Sequence, residues 1–106
     1  MATNPREWDD SMFDGATFIG PLSVLVGNDD PPEWNGIGGP NYYHDKHYVT
    51  HDPDDQKAVD DKWLELMLLA AEVVRSYDPA RAAVMIKKAH TRYAVVRALG
   101  WIWWNT

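Results

Sequence analysis

The sequence predicts a mainly α-helical protein built on an antiparallel helical hairpin, with helices at about residues 53–77 and 79–99. Three observations predict this class. Apolar residues recur at helical spacing in both ranges, an Asp-Pro pair precedes each, and the residues before about 40 are irregular and turn-rich. A chain of 106 residues has room for one domain. We therefore expect a single domain over 1–106, with an irregular wrap at 1–52, the hairpin at 53–100 and an aromatic tail at 101–106.

The N-terminal half carries most of the turn-forming residues. Six of the seven glycines lie at or before Gly39, and six of the seven prolines at or before Pro53. A β-favouring run at 21–27 between proline and glycine predicts at most one or two short strands. We also expect a short helix near 41–48, because the following Val49 and Thr50 favour extended backbone.

The first long helix has a well-marked start. Asp52 is a good N-cap, Pro53 suits the first helical position, and Asp54 and Asp55 lie at the positive end of the helix dipole. The apolar residues that follow recur every three or four positions, which predicts one inward face. That face comprises Val59, Trp63, Leu66, Met67, Ala70, Val73, Val74 and Tyr77.

The second long helix begins with the same signal at Asp78-Pro79 and ends at Gly100. Its predicted inward face comprises Ala82, Met85, Ile86, Ala89, Tyr93, Val96 and Leu99. The tail that follows is treated as extended, so that Trp101 and Trp103 face one way and Ile102 and Trp104 the other. One pair is expected to fold back over the hairpin. The alternative is that the other pair docks on a partner, because tryptophan is enriched at interface hot spots.

Charge divides the chain into two unlike parts. The net charge of −6 argues against a dedicated nucleic-acid binder, which would carry a basic face. Residues 1–61 hold thirteen Asp and Glu against three Lys and Arg, whereas residues 62–106 hold three against seven. The two parts, at −10 and +4, can therefore attract each other or charged neighbours.

Several classes of protein are excluded by what the sequence lacks. The absence of cysteine excludes disulfide frameworks and thiolate zinc sites. No apolar run is long enough for a secretory signal peptide or for a membrane span. We expect a protein that is synthesised in a host cytoplasm, with no membrane span and no nucleic-acid partner.

Three histidines lie within eight residues, at His44, His47 and His51. On one helix they would share a face and could supply imidazole ligands to Zn²⁺. Asp45 is a candidate carboxylate ligand, so that Asp45, His47 and His51 form the candidate metal set. The structural alternative is a polar turn in which a carboxylate accepts from a ring N–H, and on that interpretation the protein has no cofactor.

His44, Asp45 and Asp60 are the candidate catalytic residues. A histidine base needs a carboxylate to orient its far nitrogen, and an adjacent aspartate can hold a cation that polarises a carbonyl. Asp60, near the start of the long helix, could reach back to His44. An aspartate in a first helical turn is also a routine helix stabiliser, so both interpretations of Asp60 stay open.

Three short motifs resemble a family of small, functionally uncharacterised bacteriophage proteins. The motifs are His44-Asp45-x-x-Tyr48, Val59-Asp60-x-x-Trp63-x-x-x-Met67 and Tyr93-x-Val95-Val96-Arg97-x-x-Gly100. The family pattern runs H-D-x-x-Y, A-D-x-x-F-x-x-x-M and Y-x-A-V-R-x-x-G, and the resemblance covers about residues 43–100. It implies a phage protein.

The His-Asp…Asp spacing also resembles that of calcium-dependent secretory phospholipases and of the lipase domain in parvovirus capsids. In those enzymes the histidine activates water, the next aspartate binds calcium and the later aspartate orients the histidine. The resemblance implies these roles for His44, Asp45 and Asp60 respectively, with Ca²⁺ as cofactor.

The leading functional hypothesis is a phage structural or interaction protein, a small virion, tail or baseplate component found in the virion. Its partners would be other phage structural proteins or further copies of itself. It would dock through its N-terminal half and its tail, with the interface residues Trp8, Phe13, Trp34, Trp101, Trp103 and Trp104. The alternatives are a small metal-dependent, lipase-like hydrolase, and an acidic inhibitor of a host nucleic-acid-handling defence protein.

Overall fold

The computed structural model describes residues 30–35, 38–51 and 55–105, apart from the side chain of Trp103. These residues are mainly α-helical, as predicted, and include no strand. The β-favouring run at 21–27 lies outside them. After a 3₁₀ turn at Pro32–Trp34 come four helices: α1 at Pro40–Thr50, α2 at Gln56–Arg75, α3 at Pro79–Leu99 and α4 at Trp101–Trp104.

Helix α1 is longer than the helix predicted near 41–48. It begins with Pro40 in the first turn and runs through Thr50, where His51 ends it in the left-handed conformation with φ of 55°. Val49 favours strands in isolation, but its side chain is buried here. Burial of that side chain against the rest of the fold overrides the local preference.

The start of α2 differs from the prediction. The helix begins at Gln56, and Asp55 is the N-cap, because its carboxylate accepts from the backbone N–H of Lys57 at 3.0 Å and of Ala58 at 3.3 Å. Asp52, Pro53 and Asp54 lie outside the described residues. Closely spaced aspartates offer competing N-caps, so the sequence predicted the correct type of cap but placed it three residues too early.

Helix α3 begins where it was predicted to begin. Asp78 accepts from the backbone N–H of Arg81 at 3.1 Å, and Pro79 occupies the first turn. Helices α2 and α3 pack against each other, joined by residues 76–78. Asp60, near the start of α2, bonds Arg97 near the end of α3, so the two helices run in opposite directions.

The core lies between α1, α2 and α3. Trp34, Trp63 and Met67 are fully buried in it, and so are most of the residues that the helical spacing placed inward. Two of the predicted inward residues are wrong: Val73 is 66% exposed and Tyr77 is 64% exposed. Val73 lies about 100° around α2 from the buried Val74, and Tyr77 follows the end of the helix at Arg75, whereas Ala71 is buried instead.

The C-terminal tail is helical, not extended as we had assumed. The backbone N–H of Trp104 donates to the carbonyl of Gly100 at 2.9 Å, which closes a helical turn. A Cβ on Gly100 would clash with the Val96 carbonyl oxygen and would lie 2.8 Å from the Tyr48 hydroxyl oxygen, so the close approach of both requires glycine there. Within the described residues, no helix has the length and apolar character that crossing a membrane demands.

Candidate functional site

The carboxylate of Asp60 is the centre of a buried polar cluster between α1, α2 and α3. Its Oδ1 accepts from His44 Nε2 at 2.8 Å and from the Tyr48 hydroxyl at 2.7 Å, and its Oδ2 accepts from Arg97 at 2.7 Å. The side chains of His44 and Asp60 are both completely buried, and that of Arg97 is 32% exposed. One carboxylate thus joins three helices, and we call this group the Asp60 cluster.

The imidazole of His44 packs against two aromatic rings. It stacks on Trp63 at a centroid distance of 4.0 Å and packs against Tyr48 at 4.3 Å. Because a carboxylate can only accept, the proton toward Asp60 lies on Nε2. Burial lowers the pKa of His44 below its usual 6.5, against the opposing pull of Asp60. His44 is therefore a neutral ring near pH 7, and its Nδ1 is a buried acceptor with no hydrogen-bond partner among the described residues.

Tyr48 is the second donor to Asp60, and it has its own support. Gln56 Nε2 donates to the Tyr48 hydroxyl oxygen at 3.0 Å. Burial and the neighbouring Asp60 carboxylate raise the pKa of Tyr48 far above its usual 10.0, so the phenol stays protonated and donates to Asp60. The hydroxyl therefore acts as a donor to Asp60 and does not ionise in the physiological range.

A second buried cluster lies beside the first, around Asp30. Arg92 on α3 forms an ion pair with it, with 2.5 Å between Nε and Oδ1, and both side chains are almost fully buried. Asn41 Nδ2 donates to Asp30 Oδ2 at 2.9 Å and to Asn35 Oδ1 at 3.0 Å. This Asp30 cluster holds the segment before α1 against α3.

Trp63 connects the two clusters. Its indole N–H donates to Asn41 Oδ1 at 3.1 Å, and its ring carries the stacked His44. Trp34 closes the same layer, with its N–H donating to the Met67 carbonyl at 3.2 Å. The polar clusters are thus embedded in the aromatic core and do not line an open cleft.

The attraction expected between the acidic and basic parts of the chain is present as three ion pairs to α3. These are Asp30–Arg92, Asp60–Arg97 and Glu33–Arg81, the last with 2.6 Å between Oε2 and Nη2. Arg81 lowers the pKa of Glu33 from 4.5 to about 2. Acidic residues of the first part therefore neutralise arginines of the second.

The structure brings together two of the three candidate catalytic residues. His44 and Asp60 lie within hydrogen-bonding distance, as the hydrolase hypothesis requires. Asp45 is the next residue on α1 after His44, which points it about 100° around the helix from the ring. The hypothesis also requires a pocket open to solvent, whereas His44 and Asp60 have no exposed surface.

The candidate metal set is not assembled. Within the ranges that the structure describes, no group of three or more His, Cys, Asp or Glu side chains is arranged to hold a metal ion. Asp45, His47 and His51 lie on one helix and its C-cap without forming such a group. His51 Nε2 instead lies 3.0 Å from the Trp104 carbonyl oxygen, and its ring stacks on Trp104 at 4.0 Å.

The candidate interface residues separate into inward and outward groups. Trp34 is completely buried in the core and presents no surface to a partner. Trp104 is partly buried against Tyr48 and His51, whereas Trp101 is 57% exposed, beside Ile102 at 48%. Trp8, Phe13 and the side chain of Trp103 lie outside the described residues.

Sequence reasoning missed the Asp30 cluster. Asn41 and Asp30 belong to no motif: Asp30 lies in the stretch interpreted as turn-rich, and Asn41 lies at the start of the short helix predicted near 41–48. A signal did exist at Arg92, which falls between Ala89 and Val96 on the inward face of α3. A charged residue on an apolar face needs a buried partner, and that need could have directed attention to the acidic residues.

Comparison with models of protein families, with curated proteins and with solved structures found no match to this chain. Its function is therefore argued from its own residues.

Proposed function

We propose that this chain is a small structural or interaction protein of a bacteriophage particle. In this proposal the antiparallel hairpin is a rigid scaffold, and the chain docks on neighbouring particle proteins through its N-terminal segment and its C-terminal aromatic helix. The phage setting rests on the three motifs between His44 and Gly100 that resemble a phage family. The docking role rests on the observation that follows.

The single observation that carries the proposal is that helix α4 is fixed on the core by one aromatic side chain and exposes other apolar side chains. Trp104 is fixed by stacking on His51 and by its edge-on contact with Tyr48 at 5.0 Å. The same short helix leaves Trp101 and Ile102 about half exposed. Large apolar side chains that are held rigidly in water lose little conformational entropy on binding, which makes them effective anchors at an interface.

The Asp60 cluster takes a structural role in this proposal. Its carboxylate already accepts three hydrogen bonds, and His44 is enclosed by Trp63 and Tyr48. A general base must reach a proton on its substrate, directly or through one water molecule. A ring without exposed surface does not offer that reach, so the motif supports a clamp between helices.

The test is incorporation into particles. Phage particles would be assembled in cells that supply the chain in trans, and the amount of chain that cosediments with purified particles would be measured. We expect Trp101→Asp with Ile102→Asp to reduce incorporation at least tenfold. The matched control is Val73→Asp, since Val73 is equally exposed but lies on α2. Equal incorporation of the double variant, or absence of the wild-type chain from particles, would contradict the proposal.

The lipase-like alternative has one observation in its favour, the 2.8 Å contact between His44 and Asp60. It predicts calcium-dependent hydrolysis of phospholipid vesicles that is lost in His44→Ala. Our proposal predicts no hydrolysis above background by the wild-type chain and no change in that rate for the variant.

A further inference from the structure

His51 has a backbone conformation that glycine normally supplies. It is the C-cap of α1, with φ of 55° and ψ of 45°, and its backbone N–H donates to the His47 carbonyl at 2.8 Å. Among the described residues it is the one non-glycine residue with a positive φ. This left-handed backbone is unfavourable for a residue with a Cβ, whereas glycine would end α1 without that cost. An outlier of this kind is a reason to look for a role of the side chain.

The side chain of His51 meets helix α4. Its Nε2 lies 3.0 Å from the Trp104 carbonyl oxygen, and because a carbonyl only accepts, Nε2 carries the proton and donates. The imidazole and the Trp104 indole are almost parallel, with 10° between their planes and 4.0 Å between their centroids. The hydrogen bond and the ring contact of this side chain therefore both go to one residue of α4.

Helix α4 has too few residues to be stable by itself. It is a single turn, which the backbone N–H of Trp104 closes on the Gly100 carbonyl at 2.9 Å. An isolated turn carries the nucleation cost of a helix and gains few hydrogen bonds in return. The last carbonyls of a helix also lack partners within it, and His51 donates to the one at Trp104. His51 thus ends α1 with its backbone and caps α4 with its side chain.

The orientation of α4 decides where its exposed apolar side chains point. Trp101 and Ile102 belong to the same turn as Trp104, so fixing Trp104 fixes all three. The Tyr48 ring also supports Trp104, through an edge-on contact with 5.0 Å between centroids. That contact is apolar and holds no backbone group of α4. The directional contact with the end of α4 is the hydrogen bond from His51.

We propose that His51 is the positioning residue of the docking helix α4. It holds α4 in one orientation in the free chain, so that Trp101 and Ile102 meet a partner with little further loss of conformational freedom. His51 acts through Trp104 and needs no contact with the partner. The inference rests on the proposed docking function, but its first step, the order of α4, is measured in the free chain.

The experiment replaces His51 with glycine in the full-length chain. Glycine adopts a φ of 55° without strain, so His51→Gly ends α1 in the same way and removes both contacts with Trp104. Nitrogen-15 relaxation gives the order parameter S² of the backbone N–H groups of Trp101 and Trp104. We expect S² of about 0.85 in the wild type and below about 0.6 in the variant. Val96, buried in α3, should stay at about 0.85 in both, which shows that the fold is retained.

Two further variants are the matched controls. His51→Phe keeps a ring that can stack on Trp104 but loses the donor, so its S² values in α4 should lie between those of glycine and wild type. If they equal those of glycine, the ring contact is excluded as a cause of the order. His90→Ala removes an exposed histidine of α3 and should keep the wild-type values.

The docking step is measured by cosedimentation with phage particles assembled in cells that supply the chain. We expect His51→Gly to be incorporated about fivefold less than wild type or lower still, although Trp101 and Ile102 are unchanged, because both side chains must then be ordered on binding. His90→Ala should be incorporated like the wild type.

Three results would overturn the inference. If Trp101 and Trp104 keep S² of about 0.85 in His51→Gly, or if Val96 loses order as well, His51 does not position α4, and the docking proposal still stands. Wild-type incorporation of a His51→Gly chain with a flexible α4 would exclude a positioning role in docking. Absence of the wild-type chain from particles would overturn the proposed function and the docking role of His51 together, while the order measured in the free chain would be unaffected.

Discussion

Two buried aspartates hold α3 in place, and they differ in how solvent reaches their arginine partners. Asp30 pairs with Arg92, whose side chain is 3% exposed, whereas Asp60 pairs with Arg97, whose side chain is 32% exposed. Asp60 also accepts from the titratable His44, while the hydrogen bonds described at Asp30 come from the amide of Asn41. The two clusters share a structural role, but only one of them resembles an active site in the sequence.

The comparison teaches that a catalytic-looking motif and an unremarked polar group can perform the same task. Each cluster compensates a buried carboxylate with an arginine from α3, which fixes another part of the chain against that helix. The His-Asp…Asp motif drew attention because its residue types also serve in catalysis. The following predictions separate the two clusters, beginning with the largest expected effect.

Asp30→Ala should be more destabilising than Asp60→Ala. Removing Asp30 leaves the charge of Arg92 buried without its partner, which costs about 3–5 kcal/mol. Removing Asp60 also leaves Arg97 without its partner, but that side chain can turn toward water. We therefore expect a loss of about 2–4 kcal/mol in stability. The free energy of unfolding in urea measures both. Asp30→Asn and Asp60→Asn keep the shape and should fall between alanine and wild type. A larger loss of stability in Asp60→Ala than in Asp30→Ala would show that solvent access to the arginine does not decide the size of the loss.

Gly100→Ala should destabilise the packing of Gly100 on α3 and on the Asp60 cluster. The new Cβ would clash with the Val96 carbonyl oxygen and would lie 2.8 Å from the Tyr48 hydroxyl oxygen, which is held between Asp60 and Gln56. Overpacking of this kind costs about 1–3 kcal/mol. The backbone at Gly100 is ordinary right-handed helix, so a neutral or stabilising result would mean that both Val96 and Tyr48 move aside freely. The measurement is urea unfolding, with Tyr48→Phe combined with Gly100→Ala as the control that removes the contact with the hydroxyl and leaves the one with the Val96 carbonyl.

The Asp60 cluster should confer a pH dependence through His44. The pKa of His44 is lower in the folded protein than the usual 6.5, so the unfolded chain binds the proton more readily. The contribution of His44 is present above pH 6.5 and is lost as the pH falls below it, at up to about 1.4 kcal/mol per pH unit. His44→Gln keeps an N–H donor but does not titrate, and its unfolding free energy should fall less steeply than that of wild type. If the unfolding free energies of the wild type and of His44→Gln change with pH in parallel, the burial of His44 is contradicted.

The partly exposed pair between Glu33 and Arg81 should contribute least. Arg81 lowers the pKa of Glu33 to about 2, so its stabilising effect is present above pH 4.5 and is lost as the pH falls through about 2. Solvent screening keeps that effect small. Glu33→Gln should therefore cost far less than Asp30→Ala in urea unfolding at pH 7, and added salt should reduce the difference. Glu72→Gln removes another exposed pair and serves as the control.

Much of the helical scaffold was predictable from local signals. Asp78 and Pro79 marked the start of α3, and the spacing of Trp63, Met67 and Val74 gave the inward face of α2, because caps and apolar periodicity act within a few residues. The extent of α1 was not predictable, since Val49 becomes helical only through burial that the rest of the fold provides. The helical form of the tail depends likewise on Trp104 stacking on His51, 53 residues away.

The site was predictable in part for the same reason. Asp60 was expected to reach back to His44 because both residues belong to a recognisable motif, and the two do meet. Whether the pair faces solvent or lies inside the core depends on Trp63 and Tyr48, which enclose the imidazole from two helices. The partnership of Arg92 with Asp30 spans 62 residues, so the inward position of Arg92 indicates that a buried partner is needed but nothing local identifies Asp30 as that partner.

The most direct test of the central claim is the protonation state of His44 inside the folded protein. Nitrogen-15 NMR of the imidazole, followed between about pH 8 and pH 5, reports the tautomer and the titration midpoint. The exposed His90 in the same spectra is an internal reference. We predict a neutral ring protonated on Nε2, with a midpoint below 6.5. An imidazolium with a midpoint above 6.5, or a ring protonated on Nδ1, would contradict a buried structural clamp and return His44 to the candidates for a catalytic base.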